Sequence, residues 1–290
     1  MNHALLLDTS SLMYRAFFAL PTSITGDGRP VNAVRGYLDM VARLVVARRP
    51  GRVYHVLDDD WRPAPRVAAW AGYKSARNED PPDLPPQFAL LREVLAALGA
   101  VVVAAPGWEA DDAIGVLCAQ ASEDDVLEIV TGDRDLLQLV DDGSGGPVIL
   151  VLYTVKGVSE LIEFDEAEVL ARHGVPARRY VDYATLRGDP SDGLPGVKGV
   201  GEKTARDLVS RYPDLPALAA DTRSLSPKLA QRIAEAGEYL AAMAAVVPVR
   251  TDVAVTVDEP AAADEVVDDL ARRHNLEGPV RRLREATDAT

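Results

Sequence analysis

Short apolar runs alternate along the first half of the chain with longer segments in which apolar residues recur every three or four positions. The short runs are rich in Leu, Ile and Val and are bounded by Gly, Pro or Asp, which is typical of buried parallel strands. The predicted strands are LLLD, RVYHVL, VVVAA, VLEIVT and VILVLY. The predicted helices are Ser10–Leu20, Ala33–Ala47 and Phe88–Leu98, then one after Trp108 and a short one at DLLQLV. This alternation predicts an α/β fold in which a mostly parallel sheet carries helices on its faces.

The second half of the chain is predicted to be mainly helical, at EAEVLARHG, ARRYVDYATLRG, EKTARDLVSRY and SPKLAQRIAEAGEYLAAMAAV. Near the end come one predicted strand, TDVAVTV, and one predicted helix, ADEVVDDLARRH. Residues 60–87 are rich in prolines and acids, which indicates a surface excursion. We therefore predict a core at 1–175 that carries the 60–87 excursion, a helical domain at 176–250, and a segment at 251–290 that packs on the core.

Acidic side chains repeatedly follow the ends of the apolar runs. They are Asp8, Asp58, Glu109, Asp111, Asp112, Asp133, Asp135, Asp189 and Asp192. Ligands of open α/β sheets bind beyond the carboxyl ends of the strands, so these acids are expected to meet there. Two unit charges ~4 Å apart repel by roughly 4 kcal/mol at an effective dielectric constant near 20, so the cluster requires protons or cations. Because oxygen ligands favour Mg²⁺ or Mn²⁺, the pattern predicts metal-dependent phosphate chemistry.

Each acid taken singly has a simpler interpretation as a turn residue or a helix N-cap. Asp111 and Asp112, for example, suit the dipole at the start of a helix. The recurrence of acids after four separate apolar runs favours a shared metal site instead. A zinc site is disfavoured because the four histidines are scattered and there is no cysteine pair. His55, within VYHVL, is predicted to be a core or sheet-face residue.

Composition narrows the class of protein. The 290 residues are 48% hydrophobic, and the lone Cys118 lies in an apolar stretch, which predicts a buried thiol and no internal disulfide. No signal-peptide pattern or long apolar run is found, so we predict a soluble, cytoplasmic protein without a membrane partner. The net charge of −14 argues against a nucleic-acid partner at first sight. Cations bound to the acid cluster would offset part of that charge, and basic residues concentrate in two stretches.

The first basic stretch contains Arg66 and the sequence YKSAR, with Tyr73, Lys74 and Arg77. A helix there would place Lys74 and Arg77 on one face, since they are three residues apart. One interpretation is a solvated basic face. The other is a cationic arm that orients a phosphodiester, with Tyr73 as a stacking surface for a base and Arg66 as a further DNA contact. The residues alone leave both interpretations open.

The second basic stretch is GVKGVGEKTA, which includes Gly199, Gly201 and Lys203. It is neither a P-loop nor a dinucleotide-binding fingerprint, because the lysine comes one place too late and the glycine spacing differs. A glycine-rich hairpin that opens a helix still presents free N–H groups and a positive dipole to a phosphate. A plain turn between helices is the simpler alternative.

These motifs, in this order, resemble the flap endonuclease and 5′-3′ exonuclease family, and especially the 5′-nuclease domain of bacterial DNA polymerase I and its stand-alone relatives. The matching segments are LLLDTSSLMYRAFFAL, NAVRGYL, RVAAWAGYKSAR, GWEADDAIG, TGDRDLLQLV and GDPSDGLPGVKGVGEKTA. The resemblance implies a PIN-like nuclease core, a helix-three-turn-helix domain that binds duplex DNA, and two divalent ions. It implies Mg²⁺, for which Mn²⁺ can substitute, and a K⁺ ion in the glycine hairpin.

The resemblance also assigns roles to individual residues. The first metal would be held by Asp8, Asp58, Glu109 and Asp111, with Asp112 nearby, and the second by Asp133, Asp135, Asp189 and Asp192. Lys74 and Arg77 match a basic pair near the scissile phosphate, and Arg15 matches an arginine that follows the first Asp. Gly199, Gly201 and Lys203 fall in the duplex-binding hairpin.

Three departures from the family pattern qualify these assignments. LDDDWRP has three consecutive acids where relatives usually show one, and Asp58 is chosen because it directly follows the strand. Gly193 stands where bacterial relatives commonly have Asn. The excursion at 60–87 is short and proline-rich, which puts a closed arch in doubt.

The expected activity is structure-specific hydrolysis of DNA at 5′ ends, flaps or nicks by a two-metal mechanism. The expected partners are duplex DNA with a single-stranded 5′ end and a separate polymerase and ligase, and the expected state is a monomer. Two alternatives stay open. A phosphatase of haloacid-dehalogenase type is suggested by GDPSD, although Ser10 stands where its second Asp belongs. A non-catalytic DNA-junction binder would be marked by missing acids, which is not seen.

Overall fold

The fold was analysed in a computed structural model that describes residues 2–77, 79–221 and 223–289. The strands are β1 (His3–Asp8), β2 (Thr25–Gly26), β3 (Arg29–Pro30), β4 (Arg52–Leu57), β5 (Val101–Ala104), β6 (Val126–Thr131), β7 (Asp141–Asp142), β8 (Val148–Thr154), β9 (Leu161–Phe164) and β10 (Thr256–Asp258). The helices are α1 (Thr9–Ala19), α2 (Asn32–Arg48), α3 (Ala64–Ala69), α4 (Pro85–Ala97), α5 (Ala110–Ala119), α6 (Glu166–His173), α7 (Tyr180–Arg187), α8 (Glu202–Arg211), α9 (Leu215–Ala220), α10 (Pro227–Glu235), α11 (Gly237–Val246), α12 (Asp264–Arg273) and α13 (Glu277–Asp288). Short 3₁₀ turns lie at Asp135–Leu139, Ala177–Arg179 and Pro190–Asp192.

The main sheet has the strand order β10-β5-β4-β1-β6-β8-β7, with β9 paired to β8. Strands β5, β4, β1, β6 and β8 run parallel, whereas β7, β9 and β10 join antiparallel at the margins. This architecture confirms the predicted α/β class with a mostly parallel sheet. In the parallel register Asp8 lies opposite Val56, which places the ends of β1 and β4 at one edge.

The central strand β1 explains why the sheet is buried on both faces. Ala4 and Leu6 belong to one apolar cluster and Leu5 and Leu7 to the other, and all four are fully buried. Successive side chains of a strand point to opposite faces, so a continuous apolar run is what a two-sided core requires. Burial of a leucine side chain stabilises the fold by roughly 1.5–3 kcal/mol.

The helical domain differs in detail from the sequence prediction. The predicted long helix at SPKLAQRIAEAGEYLAAMAAV is divided into α10 and α11 between Glu235 and Gly237, because Ala236 leaves the helical conformation and Gly237 follows it. Helix α9 was not predicted. It is short and starts with Pro216 in its first turn, where the missing N–H of proline costs nothing.

The C-terminal segment lies against the core. Strand β10 pairs antiparallel with β5, and it is shorter than the predicted TDVAVTV. Apolar residues of α12 and α13 join the cluster that also contains the apolar face of α2. The predicted helix ADEVVDDLARRH is confirmed as α12, whereas α13 was missed. Its Pro279 lies in the first turn, where a proline is tolerated.

Cys118 is a buried free thiol, as predicted, and burial raises its pKa to about 12. Among the described residues no helix is long and apolar enough to cross a membrane.

His55 is confirmed as a core residue, and its burial predicts a pH effect on stability. Its Nδ1 lies 2.6 Å from the Tyr37 hydroxyl, and burial lowers its pKa from 6.5 to about 4. The unfolded chain takes up this proton below pH ~6.5 while the folded chain does not, so the stability contributed by His55 is lost as the pH falls from about 6.5 to about 4. The full effect is about 3 kcal/mol.

The variant His55→Asn removes the titrating group and keeps a polar atom near Tyr37. We expect its free energy of unfolding to fall less steeply than that of the parent between pH 6.5 and 4, as measured by urea denaturation. Parallel pH profiles for the two proteins would contradict the assignment of a neutral, buried His55.

Candidate functional site

Asp8 lies at the carboxyl end of β1 and at the start of α1. Its carboxylate accepts hydrogen bonds from the Ser11 N–H at 3.0 Å and from the Thr131 hydroxyl at 2.6 Å. Burial raises the pKa of Asp8 to about 7; the two hydrogen bonds oppose this shift, and repulsion from Asp58 and Asp133 adds to it. The ends of β1, β4 and β6 therefore bring their acids into one electrostatic environment, as the sequence predicted.

Asp133 and Asp135, which follow β6, and Asp189 and Asp192, which precede α8, also repel one another. Enclosure by protein raises the pKa of Asp135 well above its usual range, and repulsion from Asp133, Asp192 and Asp189 adds to this shift. The pKa of Asp133 is also raised, mainly by desolvation. Asp111, at the start of α5, has its pKa raised by desolvation and then by Asp133. Negative charge at this site therefore exceeds the positive charge that neighbouring side chains supply.

Three consecutive acids follow β4, and each has a different partner. Asp58 accepts a hydrogen bond from the Ala110 N–H at 2.7 Å, at the start of α5. Asp59 is exposed and accepts from the Gly107 N–H at 2.7 Å, and Asp60 accepts from the backbone of the loop that follows it. Because Asp58 also contributes to the shift at Asp8, it stays the predicted site residue of the three.

Lys74 and Arg77 are the cations that face these acids. The Lys74 ammonium contacts Glu109 Oε1 and lies 4.0 Å from Asp192 Oδ2. The Arg77 guanidinium donates to Asp192 Oδ1 at 2.7 Å. Desolvation raises the pKa of Glu109 even though the positive charge of Lys74 opposes the shift. Both predicted basic residues therefore lie at the acid cluster, and Lys74 lies between carboxylates assigned to different metals.

The prediction that YKSAR forms a helix is wrong. Residues 71–76 form turns, and Lys74 has a left-handed backbone with φ 50°. Its N–H donates to the Asp192 carbonyl at 2.9 Å, and the Trp70 indole donates to the Gly193 carbonyl at 3.1 Å. Contacts between segments more than a hundred residues apart fix this turn, so local propensity could not reveal it. We call residues 70–77 the basic turn.

Tyr73 and Arg66 are buried, which contradicts the prediction that they contact DNA. The Tyr73 hydroxyl donates to Glu109 Oε2 at 2.6 Å, so its ring offers no stacking surface. Arg66 pairs with Glu109 and binds both oxygens of Asp112. Asp112 is fully buried and also accepts from the Arg250 N–H at 2.9 Å, so protein donors contact both of its oxygens. Its place near the first metal stays a prediction.

Arg15 lies on α1, next to the residues that follow β6. Its guanidinium packs directly over Gly132, where a side-chain carbon would collide with it, and its Nη1 lies 3.4 Å from the Val155 carbonyl. Gly132 immediately precedes Asp133, so Arg15 borders the cluster as predicted. Its catalytic role stays a prediction.

The glycine hairpin lies at the surface. Gly199, Gly201 and Lys203 are all exposed, and Gly201 precedes the first turn of α8, which has no side-chain cap. The Arg232 guanidinium from α10 packs against Gly199 and extends this basic surface. Sequence reasoning missed Arg232, because nothing local links residues 33 positions apart. The hairpin can present N–H groups and cations to a phosphate, and its DNA role stays a prediction.

The donor atoms of the acid cluster decide which kind of metal ion it could hold. All predicted ligands are carboxylates, which suit hard divalent cations. Within the described ranges, however, no three acids, histidines or cysteines converge closely enough to hold an ion as the side chains stand. Lys74 and Arg77 hold Glu109 and Asp192 in this arrangement. A cation that bound Glu109 or Asp192 would compete with these ion pairs, and the repulsion that raises the pKa values of the other acids would favour its entry.

Comparison with known proteins gives consistent results for sequence and fold. Residues 3–174 match the profile of the 5′-3′ exonuclease N-terminal resolvase-like domain, and residues 175–269 match the 5′-3′ exonuclease C-terminal SAM fold. A 5′-3′ exonuclease of Mycobacterium tuberculosis is 43% identical over 98% of this chain and 97% of its own length. DNA polymerase I of Mycobacterium bovis is 41% identical over 78% of this chain and 25% of the polymerase.

The fold is also similar to a solved structure of the bacteriophage T5 flap endonuclease, a variant in a pseudo-enzyme-product complex with DNA and metal ions. The TM-score is 0.65 with 15% sequence identity, and the match covers 98% of this chain and 99% of the phage protein.

Proposed function

Because the chain belongs to the 5′-3′ exonuclease family, whose members hydrolyse phosphodiester bonds, we propose that it acts on duplex DNA with a single-stranded 5′ end, flap or nick and that it uses two Mg²⁺ ions. The observation that carries the metal proposal is the set of mutually repelling carboxylates at the carboxyl edge of the sheet. Family membership also removes the phosphatase alternative.

The proposed ligands fall into two groups around that edge. Asp8, Asp58, Glu109 and Asp111 would hold the first ion, and Asp133, Asp135, Asp189 and Asp192 the second. When bound, two such ions lower the pKa of a water molecule and stabilise charge on the attacking and leaving oxygens. Asp112 would lie near the first ion without binding it, because Arg66 pairs with both of its oxygens but with only one oxygen of Glu109.

The basic turn would position the scissile phosphate. Lys74 and Arg77 are within contact distance of site carboxylates, so a phosphate that approaches those acids also meets both cations. The hairpin at Gly199, Gly201 and Lys203 would bind the sugar-phosphate backbone of the duplex without reading bases. Specificity would then follow from DNA structure. We further propose that K⁺ binds in this hairpin and that a separate polymerase and ligase act on the product of a monomeric enzyme.

Cleavage of 5′-labelled flap, nicked, gapped and blunt duplexes tests the proposal. With Mg²⁺ we expect the flap and nicked substrates to be cut at the junction or 5′ end faster than the blunt duplex, because only they combine a duplex for the hairpin with a free 5′ strand. EDTA should stop the reaction, and Mn²⁺ should restore it.

A 3′-labelled flap provides the polarity control. Release of label from 3′ ends, or cleavage that persists in EDTA, would contradict the proposal. Tight flap binding without any cleavage in Mg²⁺ would favour the non-catalytic junction binder instead.

A further inference from the structure

The Arg66 guanidinium saturates all of its hydrogen-bond donors inside the protein. Its Nε donates to the Val246 carbonyl at 3.1 Å, and its Nη2 donates to Asp112 Oδ1 at 2.7 Å and contacts the Pro248 carbonyl at 3.4 Å. Its Nη1 donates to Asp112 Oδ2 at 2.9 Å and to Glu109 Oε2. A guanidinium has five N–H donors in a planar fork, so each one has a partner here.

Arg66 thereby joins three separate parts of the chain. It belongs to α3 in the 60–87 excursion, its acid partners open α5, and its carbonyl partners are at the end of α11 and just after it. The plane of the guanidinium is flanked by aromatic rings, with the Trp108 ring centroid at 5.7 Å and the Tyr73 ring centroid at 5.9 Å. This packing leaves the residue only 3% exposed and gives its side chain little freedom to rotate.

The two oxygens of Glu109 have different partners as a result. Oε2 accepts from Arg66 and from the Tyr73 hydroxyl, whereas Oε1 is left to face Lys74 and, through it, Asp192. Asp112 alone would neutralise Arg66 with a bidentate pair, so the additional bond to Glu109 is not needed for charge balance. This bond holds Oε2, so Oε1 is the oxygen on the side of Lys74.

We propose that Arg66 is a positioning residue: it holds Glu109 Oε2 so that Oε1 is presented to a divalent ion, and it anchors this arrangement to the backbone at Val246 and Pro248. The inference rests on the proposed function, because it takes Glu109 as a metal ligand. When a group that hydrogen-bonds to a metal ligand is mutated, metal affinity typically falls by about 10–100-fold.

The test is the affinity of the DNA-free protein for Mn²⁺, measured by calorimetry or by electron paramagnetic resonance, in the variant Arg66→Lys. Lysine keeps the positive charge and loses the fork, so a change reports geometry rather than charge. We expect Mn²⁺ binding about 10-fold weaker or more. We also expect kcat to fall while KM for flap DNA stays unchanged, because Arg66 is buried and all of its donors already have partners in the protein.

Arg250→Lys is the matched control. Arg250 also lies over the Trp108 ring, at 5.4 Å from its centroid, but its side chain pairs with the exposed Asp252 instead of with Glu109. Its Mn²⁺ affinity should equal that of the parent. Circular dichroism and urea denaturation establish that each variant is folded at the temperature of the measurement.

Unchanged or tighter Mn²⁺ binding in folded Arg66→Lys would overturn the proposal. If that variant does not fold, Asp112→Asn weakens the anchor of Arg66 and leaves its bond to Glu109, and Mn²⁺ affinity equal to the parent would overturn the proposal as well. The variant Glu109→Gln distinguishes a failure of the metal site from a failure of the role of Arg66. If Glu109→Gln binds Mn²⁺ as tightly as the parent, the assigned metal site itself is wrong. If Glu109→Gln binds Mn²⁺ more weakly but Arg66→Lys does not, only the role of Arg66 is rejected.

Discussion

Replacing Asp133 and Asp135 together by Asn is expected to lower flap cleavage by at least about 10³-fold, because metal ions contribute several kcal/mol to charge stabilisation in the transition state. Both carboxylates have raised pKa values and repel one another and the acids near them. Asn keeps the size of each side chain and removes its charge. Binding of flap DNA should be retained, since the glycine hairpin is untouched.

The same change should not weaken the fold. An acid with a raised pKa destabilises the folded protein when it is ionised, so its neutralisation should leave the metal-free variant as stable as the parent at neutral pH or more stable. Single-turnover cleavage, DNA binding in Ca²⁺ and urea denaturation measure the three quantities. The control is Glu123→Gln with Asp124→Asn, an exposed pair at the opposite end of β6. Cleavage at the parental rate by Asp133→Asn/Asp135→Asn would reject the two-metal assignment.

Lys74→Met is expected to lower the single-turnover cleavage rate by about 10²–10³-fold, which is typical when one preorganised electrostatic donor is removed from a catalytic site. The ammonium contacts Glu109 and lies 4.0 Å from Asp192, close to where a phosphate would meet the acids. Methionine keeps most of the buried stem. Duplex affinity should change by no more than about twofold, because Lys74 is buried and a single phosphate contact contributes modestly to binding.

Lys203→Met should give the opposite pattern. Lys203 is exposed at the start of α8, so its loss should weaken duplex binding and reduce the dependence of binding on salt, with little change in the rate at saturating DNA. Rates and affinities for both variants are measured on one labelled flap. If Lys74→Met weakens binding but cleaves normally when saturated, Lys74 is a docking residue and its catalytic assignment is wrong.

The position of the acids could be predicted from the sequence because it depends only on where each strand ends. A strand is recognisable from its own residues, and parallel strands end at the same edge, so Asp8, Asp58 and Asp133 had to approach one another. The partners of the basic residues could not be predicted in this way. Lys74 and Arg66 contact groups 35 to 180 residues away, and those contacts override the local preference for a helix or an exposed cation.

The solvent exposure of side chains was the property predicted least well from the sequence. A tyrosine and an arginine beside a lysine suggested a DNA-contacting surface, yet Tyr73 and Arg66 are buried against Glu109. Burial of an arginine is tolerated only when every donor is satisfied, and that condition depends on carbonyls of Val246 and Pro248 supplied by a distant segment. The residues near position 66 give no indication of those partners.

The pairing of β10 with β5 and the packing of α13 beside α2 have a consequence for biosynthesis. Part of the apolar face of α2 stays uncovered until residues 264–288 have left the ribosome. By then the whole helical domain has been made, so the first domain to begin folding is the last to be completed. A nascent chain that stalls before β10 carries an open edge at β5 and a partly uncovered apolar face on α2. Chaperones bind surfaces of this kind, and aggregation starts from them.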